Sequence, residues 1–325
     1  MAVIRKNIVN NAAVRQQFID GVLALKKENS GSTTADIGLP GPPKPVSTYD
    51  LFVAWHHRAM MTMTPPPPAT NPNGRNSAHR GPIFLPWHRI MLLLLESNLQ
   101  RVLNDANFGL PYWDWAVDGD LPAAQQKSAA IWKANAMGGQ GSPVSTGPFA
   151  FRPNDPNTWR VRLVGDAFGN LVAVNRGLRR SFAASVSATL PRTSHVQNAL
   201  LLASADAANW DALSSGMRNR VEGWTADANE SPPWLHNCVH VWVGGDMEPS
   251  SSPNDPVFYL NHCNVDRIWE SWLTTHGRTY LPDMSAGTAL KGHRIDDAIA
   301  SPLGSGGTPR TVLDVSQNYS YDVLP

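Results

Sequence analysis

Apolar side chains recur with helical spacing in several stretches of the chain. The first stretch follows Asn11, a residue type that often caps helices, and consists of Val14, Phe18, Val22 and Leu25. This pattern predicts an amphipathic helix whose apolar stripe packs on the core. A second helix is predicted to begin near Tyr49, and a third is predicted through the continuous apolar positions 90–95.

Strand patterns are few and short. Positions 161–164 and 171–174 flank Gly169-Asn170, which predicts a hairpin. Positions 311–313 look like a strand as well, whereas 181–203 look intermittently helical. Segments rich in glycine and proline predict exposed loops at 38–43, at 65–68 and in most of the chain after 282.

The composition indicates a globular protein of near-neutral charge. With 325 residues, 42% of them hydrophobic, the chain can bury the core of one large domain or of two. The net charge is +1 without a basic run, so we expect neither a nucleic-acid partner nor a membrane partner. The N-terminal residues lack a Sec-type apolar core, and 90–95 is too short to cross a bilayer. We therefore expect a soluble protein that is cytoplasmic, or exported only with a signal-bearing partner.

Six of the ten histidines fall into two sets of three. In one set, His236 and His240 stand four positions apart, so on a helix they project from one face, one turn apart. His262 follows a predicted turn at 252–256, where Asn or Asp can cap a new helix and Pro256 fits its first position. This set can present three imidazoles to one metal ion.

The other set consists of His56, His79 and His88. Prolines separate the last two, so His79 is predicted in a loop and His88 near the start of the following helix. Three imidazoles from helix, loop and helix can then converge on a second ion. The neighbouring His57 points about 100° away from His56 around its helix, and we do not expect it to be a ligand.

Six imidazoles without a carboxylate or thiolate select against magnesium and calcium and suit copper, zinc, nickel or iron. Zinc could fill the same sites, although di-zinc hydrolases normally include carboxylates that this pattern lacks. The two cysteines, Cys238 and Cys263, are too few for a disulfide framework and are expected to be buried thiols. The alternative is that one of the two thiolates joins the metal.

Two segments that contain these histidines resemble the copper signatures of the tyrosinase family of type 3 copper proteins. They read HRGPIFLPWHR at 79–89 and NDPVFYLNHCNVD at 254–266. Further similarity to the bacterial members lies at 111–115, 178–182, 222–224 and 241–245, so the resemblance covers most of 5–282. Ser77 stands where some members carry a cysteine that forms a thioether with a copper A histidine, so no such cross-link is expected.

The resemblance implies a mainly α fold, in which a central antiparallel four-helix bundle holds a binuclear copper site, with long loops and a few short strands. Residues 1–325 would form a single catalytic domain with insertions at about 116–215 and a closing segment at 283–325. In that segment, Tyr319 and Tyr321 resemble the Tyr-x-Tyr motif that packs against an N-terminal arginine, here Arg5. The chain ends soon afterwards, without room for the extension that plugs the site in many plant and fungal members, so an open site is expected.

The resemblance also implies the ligands and the reaction. Copper A would be held by His56, His79 and His88, and copper B by His236, His240 and His262. O2 would be the co-substrate, bound as a side-on bridging peroxide that attacks a phenol ring. Monophenols, o-diphenols or o-aminophenols would become o-quinones or quinone imines. Some bacterial relatives receive copper from a small chaperone, which would be a further partner.

Three residues near the ligands distinguish activities within the family. Asn237 and Glu222 match the residues that, in tyrosinases, hold a water thought to deprotonate a monophenol. Alternatively, Glu222 is a capping or salt-bridging carboxylate, and Asn237 simply bonds to a ligand imidazole. Asn261 replaces a histidine that most members carry, and its expected place near the substrate entrance would change substrate preference.

The sequence therefore leaves more than one function open. The prediction is divided between a tyrosinase and an o-aminophenol oxidase with little tyrosine hydroxylation. A haemocyanin-like oxygen carrier is a remote third alternative, because the short chain lacks the flanking domains of haemocyanins.

Overall fold

The structure is a computed structural model that describes residues 2–65, 74–225 and 233–325. Most of the predicted proline-rich loop at 65–68 lies outside these ranges. The described residues are mainly α-helical, as predicted. In chain order, the helices are α1 (Ala12–Lys27), α2 (Thr48–Met61), α3 (Phe84–Leu103), α4 (Trp115–Gly119), α5 (Ala123–Gln126), α6 (Thr193–Leu200), α7 (Met217–Glu222), α8 (Leu235–Val243) and α9 (Val257–His276).

The first three helices begin where the sequence supplies suitable residues. Asn11 accepts the N–H of Val14 at 3.0 Å and so caps α1, as predicted. At the start of α2, the Ser47 hydroxyl accepts the N–H of Asp50 at 3.1 Å and donates to the Asp50 carboxylate at 2.7 Å. Pro86 lies in the first turn of α3, where a missing N–H breaks no helical hydrogen bond.

Helices α3 and α9 lie at the centre of the helical packing. The predicted stripe of α1 is buried at Phe18, Val22 and Leu25. At Gly21, a Cβ atom would lie 2.7 Å from Leu99 Cδ2, so α1 approaches α3 closely because this position is glycine. Helix α3 also packs on α9, and α8 packs on α9. The antiparallel four-helix bundle stays a prediction.

Short strands surround the helices. They are β1 (Val3–Arg5), β2 (Asn29–Thr33), β3 (Pro45–Ser47), β4 (Val161–Gly165), β5 (Leu171–Arg176) and β6 (Tyr319–Tyr321). Strands β4 and β5 form the predicted hairpin, and β2 pairs with β3 in the antiparallel sense. Strand β1 pairs in parallel with β6, with Arg5 opposite Tyr321. This pairing joins residues 3–5 to residues 319–321.

The predicted strand at 311–313 is wrong. Arg310–Val312 form one 3-10 turn. The Thr311 hydroxyl donates to the carbonyl of Thr308 at 2.8 Å and accepts the Thr308 N–H at 3.0 Å. The carbonyl of Val312 accepts a hydrogen bond from Arg89. Local turn bonds and this arginine therefore satisfy a backbone whose β-branched residues are typical of strands. Within the predicted intermittent helix at 181–203, only α6 is α-helical.

A large hydrophobic cluster extends from Ile8 to Leu313 and includes residues of all the long helices. The stretch 116–215 contributes Trp132, Phe149 and Trp159 to it. Part of this stretch therefore packs into the core that supports the helices. Among the described residues, no helix has the length and apolar character required to span a bilayer.

Candidate binuclear metal centre

The fold brings each predicted set of three histidines together. His56 projects from α2, His79 lies in the loop before α3, and His88 lies on α3, and one ring nitrogen from each falls within 4.8 Å of the others. On the other side, His236 and His240 lie one turn apart on α8 and His262 lies on α9, with the same spread. All six side chains are buried.

The two sets are neighbours and form one centre. The rings of His88 and His262 stack with centroids 4.0 Å apart and an interplanar angle of 10°. The rings of His79 and His236 lie 6.2 Å apart. Two metal ions bound by these sets would therefore share one enclosed space between α3, α8 and α9.

Backbone carbonyls orient three of the imidazoles. The Nδ1 atoms of His56, His88 and His240 donate to the carbonyls of Ser250, Phe84 and Met247 at 2.6, 2.8 and 2.5 Å. Their Nε2 atoms then carry lone pairs, and they are buried without a hydrogen-bond partner in the part of the chain that the structure describes. Buried polar atoms normally have partners, so these three nitrogens fit metal ligands.

His236 and His262 face each other across copper B's expected position. His236 Nδ1 donates to the Glu222 carbonyl at 3.2 Å and to Asn237 Oδ1 at 3.0 Å. Its Nε2 lies 3.1 Å from Nε2 of His262. A lone pair on His236 Nε2 is therefore directed at another imidazole nitrogen, and a bound cation would satisfy both atoms.

Burial keeps all six imidazoles neutral. It lowers the pKa of His56 to about 3 and that of His240 to about 4, and it holds the pKa of each of the other four well below the ordinary value. Neutral imidazole is the form that binds a metal ion. The site therefore needs no proton release from these rings before it can bind copper near neutral pH.

Two phenylalanine rings border the centre. Phe258 lies 4.2 Å from the His262 ring and 4.9 Å from the His56 ring, between centroids. Phe84 lies 4.9 Å from both His88 and His236. These apolar rings pack against imidazoles of both sets. Both residues lie in the two signature segments, but no role was predicted for them from the sequence.

The start of α9 is fixed from the 116–215 stretch. Arg180 donates to the two carboxylate oxygens of Asp255 at 2.6 and 2.8 Å, and both side chains are fully buried. Asp255 also accepts the N–H of Val257, so it supports the helix start as predicted. Pro256 directly precedes the first helical residue. This ion pair positions the helix that carries His262, a role for Arg180 that was not predicted from the sequence.

Glu222 and Asn237 both lie beside His236. The buried Glu222 carboxylate accepts the backbone N–H of Arg80 at 2.6 Å and a guanidinium N–H of Arg218 at 3.1 Å. Burial raises the pKa of this carboxyl, although Arg218 acts in the opposite direction. Glu222 is thus a salt-bridging carboxylate, and Asn237 bonds to a candidate ligand. Their joint water-holding role stays a prediction.

Asn261 lies directly before His262 on α9, and its side chain has no exposed surface. Neither polar atom of the side chain finds a partner among the described residues. Asn261 is therefore not exposed at the protein surface. If it affects substrate preference, it does so as a buried side chain next to His262.

The remaining candidates lie apart from the two sets. His57 bonds to the Ser250 hydroxyl at 2.7 Å and to the Gly169 carbonyl at 3.2 Å. Cys238 and Cys263 are buried and form no disulfide, and their sulfurs contact the carbonyls of Thr189 and Leu110. The alternative in which a thiolate joins the metal therefore has no support from these contacts.

Comparison with known proteins identifies the family of the chain. The family model of the common central domain of tyrosinase matches residues 46–275. A tyrosinase of Streptomyces antibioticus is 34% identical over 98% of this chain and 99% of its own length. A grixazone synthase of Streptomyces griseus is 32% identical over 99% of this chain and all of its own length.

Solved structures share the fold at low identity. A polyphenol oxidase from Thermothelomyces thermophila superposes with a TM-score of 0.73 at 19% identity, over 100% of this chain and 89% of that one. A functional unit of octopus hemocyanin gives 0.55 at 19% identity, over 99% and 69%. The fold is therefore shared with a hemocyanin unit as well, whereas the full-length relatives above are named tyrosinase and grixazone synthase. The chain belongs to the tyrosinase family, and it is a phenol oxidase that uses two copper ions and O2.

Proposed function

We propose that copper A is bound by His56, His79 and His88, and that copper B is bound by His236, His240 and His262. The observation that carries this assignment is the set of buried Nε2 lone pairs directed inward while the Nδ1 atoms of the same rings donate to fixed carbonyls. Imidazoles held in this way lose little freedom when they bind a metal. Exchange of one ligand should therefore remove one ion and leave the fold intact.

We further propose that the enzyme hydroxylates monophenols and oxidises o-diphenols to o-quinones. When bound, the two copper ions supply the binding and reduction of O2. The protein contributes the enclosed position for the phenol ring, with Phe84 and Phe258 restricting water around the imidazoles. Asn237 fixes the ring of His236. Full-length similarity to Streptomyces tyrosinases supports this reaction over the alternatives.

In this proposal, Glu222 assists monophenols in particular. A monophenol has to lose its hydroxyl proton, and a buried carboxylate beside a copper B ligand is placed to hold the water that takes it. Arg218 and the Arg80 N–H compete for the same carboxylate. Glu222 therefore also fixes the loop that follows His79, through its hydrogen bond with the Arg80 N–H.

Oxygen consumption by the copper-loaded enzyme tests the reaction. L-tyrosine, a catechol and an o-aminophenol should be compared in parallel, in the wild type and in Glu222→Gln. We expect turnover of tyrosine after a lag, and a larger loss for tyrosine than for catechol in the variant. Equal losses would argue against the proton-transfer role of Glu222, because the carboxylate would then serve only the structure.

An o-aminophenol oxidase is the second candidate, favoured by Asn261 and by the similarity to grixazone synthase. Turnover of the aminophenol with little from tyrosine would establish it in place of the tyrosinase activity. Asn261→His is then the informative variant, because it restores the residue type that most family members carry. A shift towards tyrosine in that variant would assign the preference to this position.

We infer that residues 1–325 form a single catalytic domain, since one hydrophobic cluster joins residues from most of the chain.

A small copper chaperone is the proposed partner for metal delivery. Purified apoprotein incubated with copper salt alone should then gain less copper and activity than protein produced together with the chaperone. Full loading from the salt would remove the need for that partner.

A further inference from the structure

Another buried histidine, besides the two sets of three and His57, lies against the copper A side of the molecule. His293 has no exposed surface and belongs to the closing segment at 283–325, outside both ligand sets. Its Nε2 lies 2.7 Å from the hydroxyl of Thr64, and its Nδ1 accepts the N–H of Ile83 at 3.4 Å. Neither contact takes part in the proposed oxidation of phenols.

The ring also fills the space beside Gly81. A Cβ atom at Gly81 would lie 2.7 Å from Nδ1 and Cε1 of the His293 ring. Residue 81 therefore has to be glycine for the loop to approach this ring so closely. The imidazole is in contact with the loop that carries His79 as well as with Thr64 and Ile83.

These three contacts reach all three segments that carry copper A ligands. Thr64 lies three residues beyond α2, which carries His56. Gly81 lies two residues after His79 in its loop. Ile83 immediately precedes α3, which carries His88. One side chain thus connects the end of α2, the His79 loop and the start of α3.

The hydrogen bonds determine the tautomer of His293. Because Nδ1 accepts from Ile83, the ring proton lies on Nε2 and is donated to the Thr64 hydroxyl. Burial lowers the pKa of His293 to about 3, so the ring stays neutral. A neutral ring that both donates and accepts can hold two chain segments at a fixed separation.

The closing segment holds His293 firmly. The backbone N–H of His293 donates to the Leu290 carbonyl at 2.9 Å, and the carbonyl of His293 accepts a hydrogen bond from the Tyr280 hydroxyl at 2.8 Å. On either side, the N–H groups of Gly292 and Arg294 donate to one carboxylate oxygen of Asp297 at 2.7 and 2.9 Å. The imidazole is therefore presented from a turn fixed on both sides.

We propose that His293 is a positioning residue for copper A, which holds the His79 loop between the end of α2 and the start of α3. The proposal rests on the ligand assignment under Proposed function. His293 touches neither copper nor substrate in this role. Its loss should weaken copper A while copper B, bound from α8 and α9, keeps its affinity.

Two variants test the role without relying on activity. His293→Ala removes both hydrogen bonds, and Thr64→Val removes one of them with almost no change of shape. We expect copper A to be lost at a chelator concentration about tenfold lower than in the wild type, as is typical when support of a metal ligand is removed. Copper per chain, measured by elemental analysis after dialysis against graded chelator, gives the result. Thermal unfolding of each apoprotein reports whether the fold persists.

A double variant identifies which ion responds. In His88→Ala, which removes a copper A ligand, adding His293→Ala should leave the retention of the remaining ion unchanged. His276→Ala is the matched control, because His276 stacks on Trp272 at the far end of α9. It should retain both ions as the wild type does.

The outcomes separate the two proposals. If the wild type holds two ions and both His293→Ala and Thr64→Val retain them at wild-type chelator concentrations, the role of His293 is overturned and the ligand assignment stands. Equal weakening of both ions would also overturn it, because the effect would then be a general loss of structure. A wild type that does not bind two copper ions would instead contradict the proposed function itself.

Discussion

Helices α3 and α9 carry two buried polar clusters, which differ in how many of their polar atoms have hydrogen-bond partners. The first is the histidine centre, to which they contribute His88 and His262. The second is the charged cluster. It contains Arg89, which follows His88 on α3, and Asp266, which lies one turn after His262 on α9. Arg89 donates to Asp266 at 2.5 Å and to Glu270 at 3.0 Å.

The charged cluster is almost complete without a cofactor. Arg5 adds bonds to Glu96 at 2.9 Å and to Asp266 at 3.2 Å, and the hydroxyl of Tyr321 donates to Asp266. Only Nη2 of Arg5 has no partner in this cluster, among the described residues. In the histidine centre, by contrast, several ring nitrogens are left without partners. The charged cluster therefore fixes the helices by itself, whereas the histidine centre is completed by metal.

The largest expected effect is on the histidine centre. His240→Ala should abolish phenol oxidation and reduce bound copper from about two ions to about one per chain, because copper B loses one of three ligands. Circular dichroism should show the wild-type helix content. Retention of both ions and of activity would contradict the ligand assignment. The variant His276→Ala serves as the control here too.

Next in size is the effect of breaking the charged cluster. Asp266→Ala leaves Arg89 and Arg5 buried without their shared carboxylate, so the free energy of unfolding should fall by about 3–5 kcal/mol. Urea unfolding of the apoprotein measures it. Asp296→Ala is the control, because Asp296 pairs with Arg310 at the surface and its loss should leave stability unchanged. A small loss for Asp266→Ala would mean that the helices do not depend on this cluster.

A smaller effect is expected when copper is removed from the wild type. Metal that binds only the folded chain stabilises it by mass action, about 2.7 kcal/mol at one hundred times the dissociation constant. The melting temperature should therefore fall on chelation while the helix content stays the same, since the charged cluster persists. Unfolding of the apoprotein at room temperature would show that the metal, and not the charged cluster, holds α3 and α9 together.

The smallest effect concerns one hydroxyl of the charged cluster. Tyr321→Phe removes the bonds from the Tyr321 hydroxyl to Asp266 at 2.5 Å and to the Cys263 carbonyl at 3.0 Å. The Arg89 bonds to Asp266 remain, so the free energy of unfolding should fall by about 1–2 kcal/mol, and copper content should not change. Urea unfolding and elemental analysis check the two parts. Loss of copper in this variant would couple the two clusters.

The sequence predicted the parts of the fold that depend on local pattern. The cap at Asn11, the helix with Phe18, Val22 and Leu25, and the hairpin of β4 and β5 were each predicted and confirmed. The resemblance implied that Arg5 packs against the Tyr-x-Tyr motif, and its guanidinium carbon lies 3.4 Å from the centroid of the Tyr319 ring. These features depend on neighbouring residues or on motifs with few alternatives.

Other features depend on contacts that no local pattern contains. The carbonyls of Ser250 and Met247 orient His56 and His240. Every residue has a backbone carbonyl, so the sequence does not indicate which ones orient the ligands. Arg218 binds Glu222 within the same helix, and this i, i+4 pair could have been found by spacing. The strand predicted at 311–313 failed because the partners of that backbone lie in its own turn and on α3.

The parallel pairing of β1 with β6 limits the order in which the molecule can assemble during synthesis. Arg5 and Tyr321 stand 316 positions apart in the chain. On the ribosome, Arg5 therefore emerges long before its partners Asp266 and Tyr321 exist. The charged cluster between α3 and α9 can therefore be completed only after Tyr321 has been synthesised, and copper delivered before then would meet helices that this cluster does not yet fully hold.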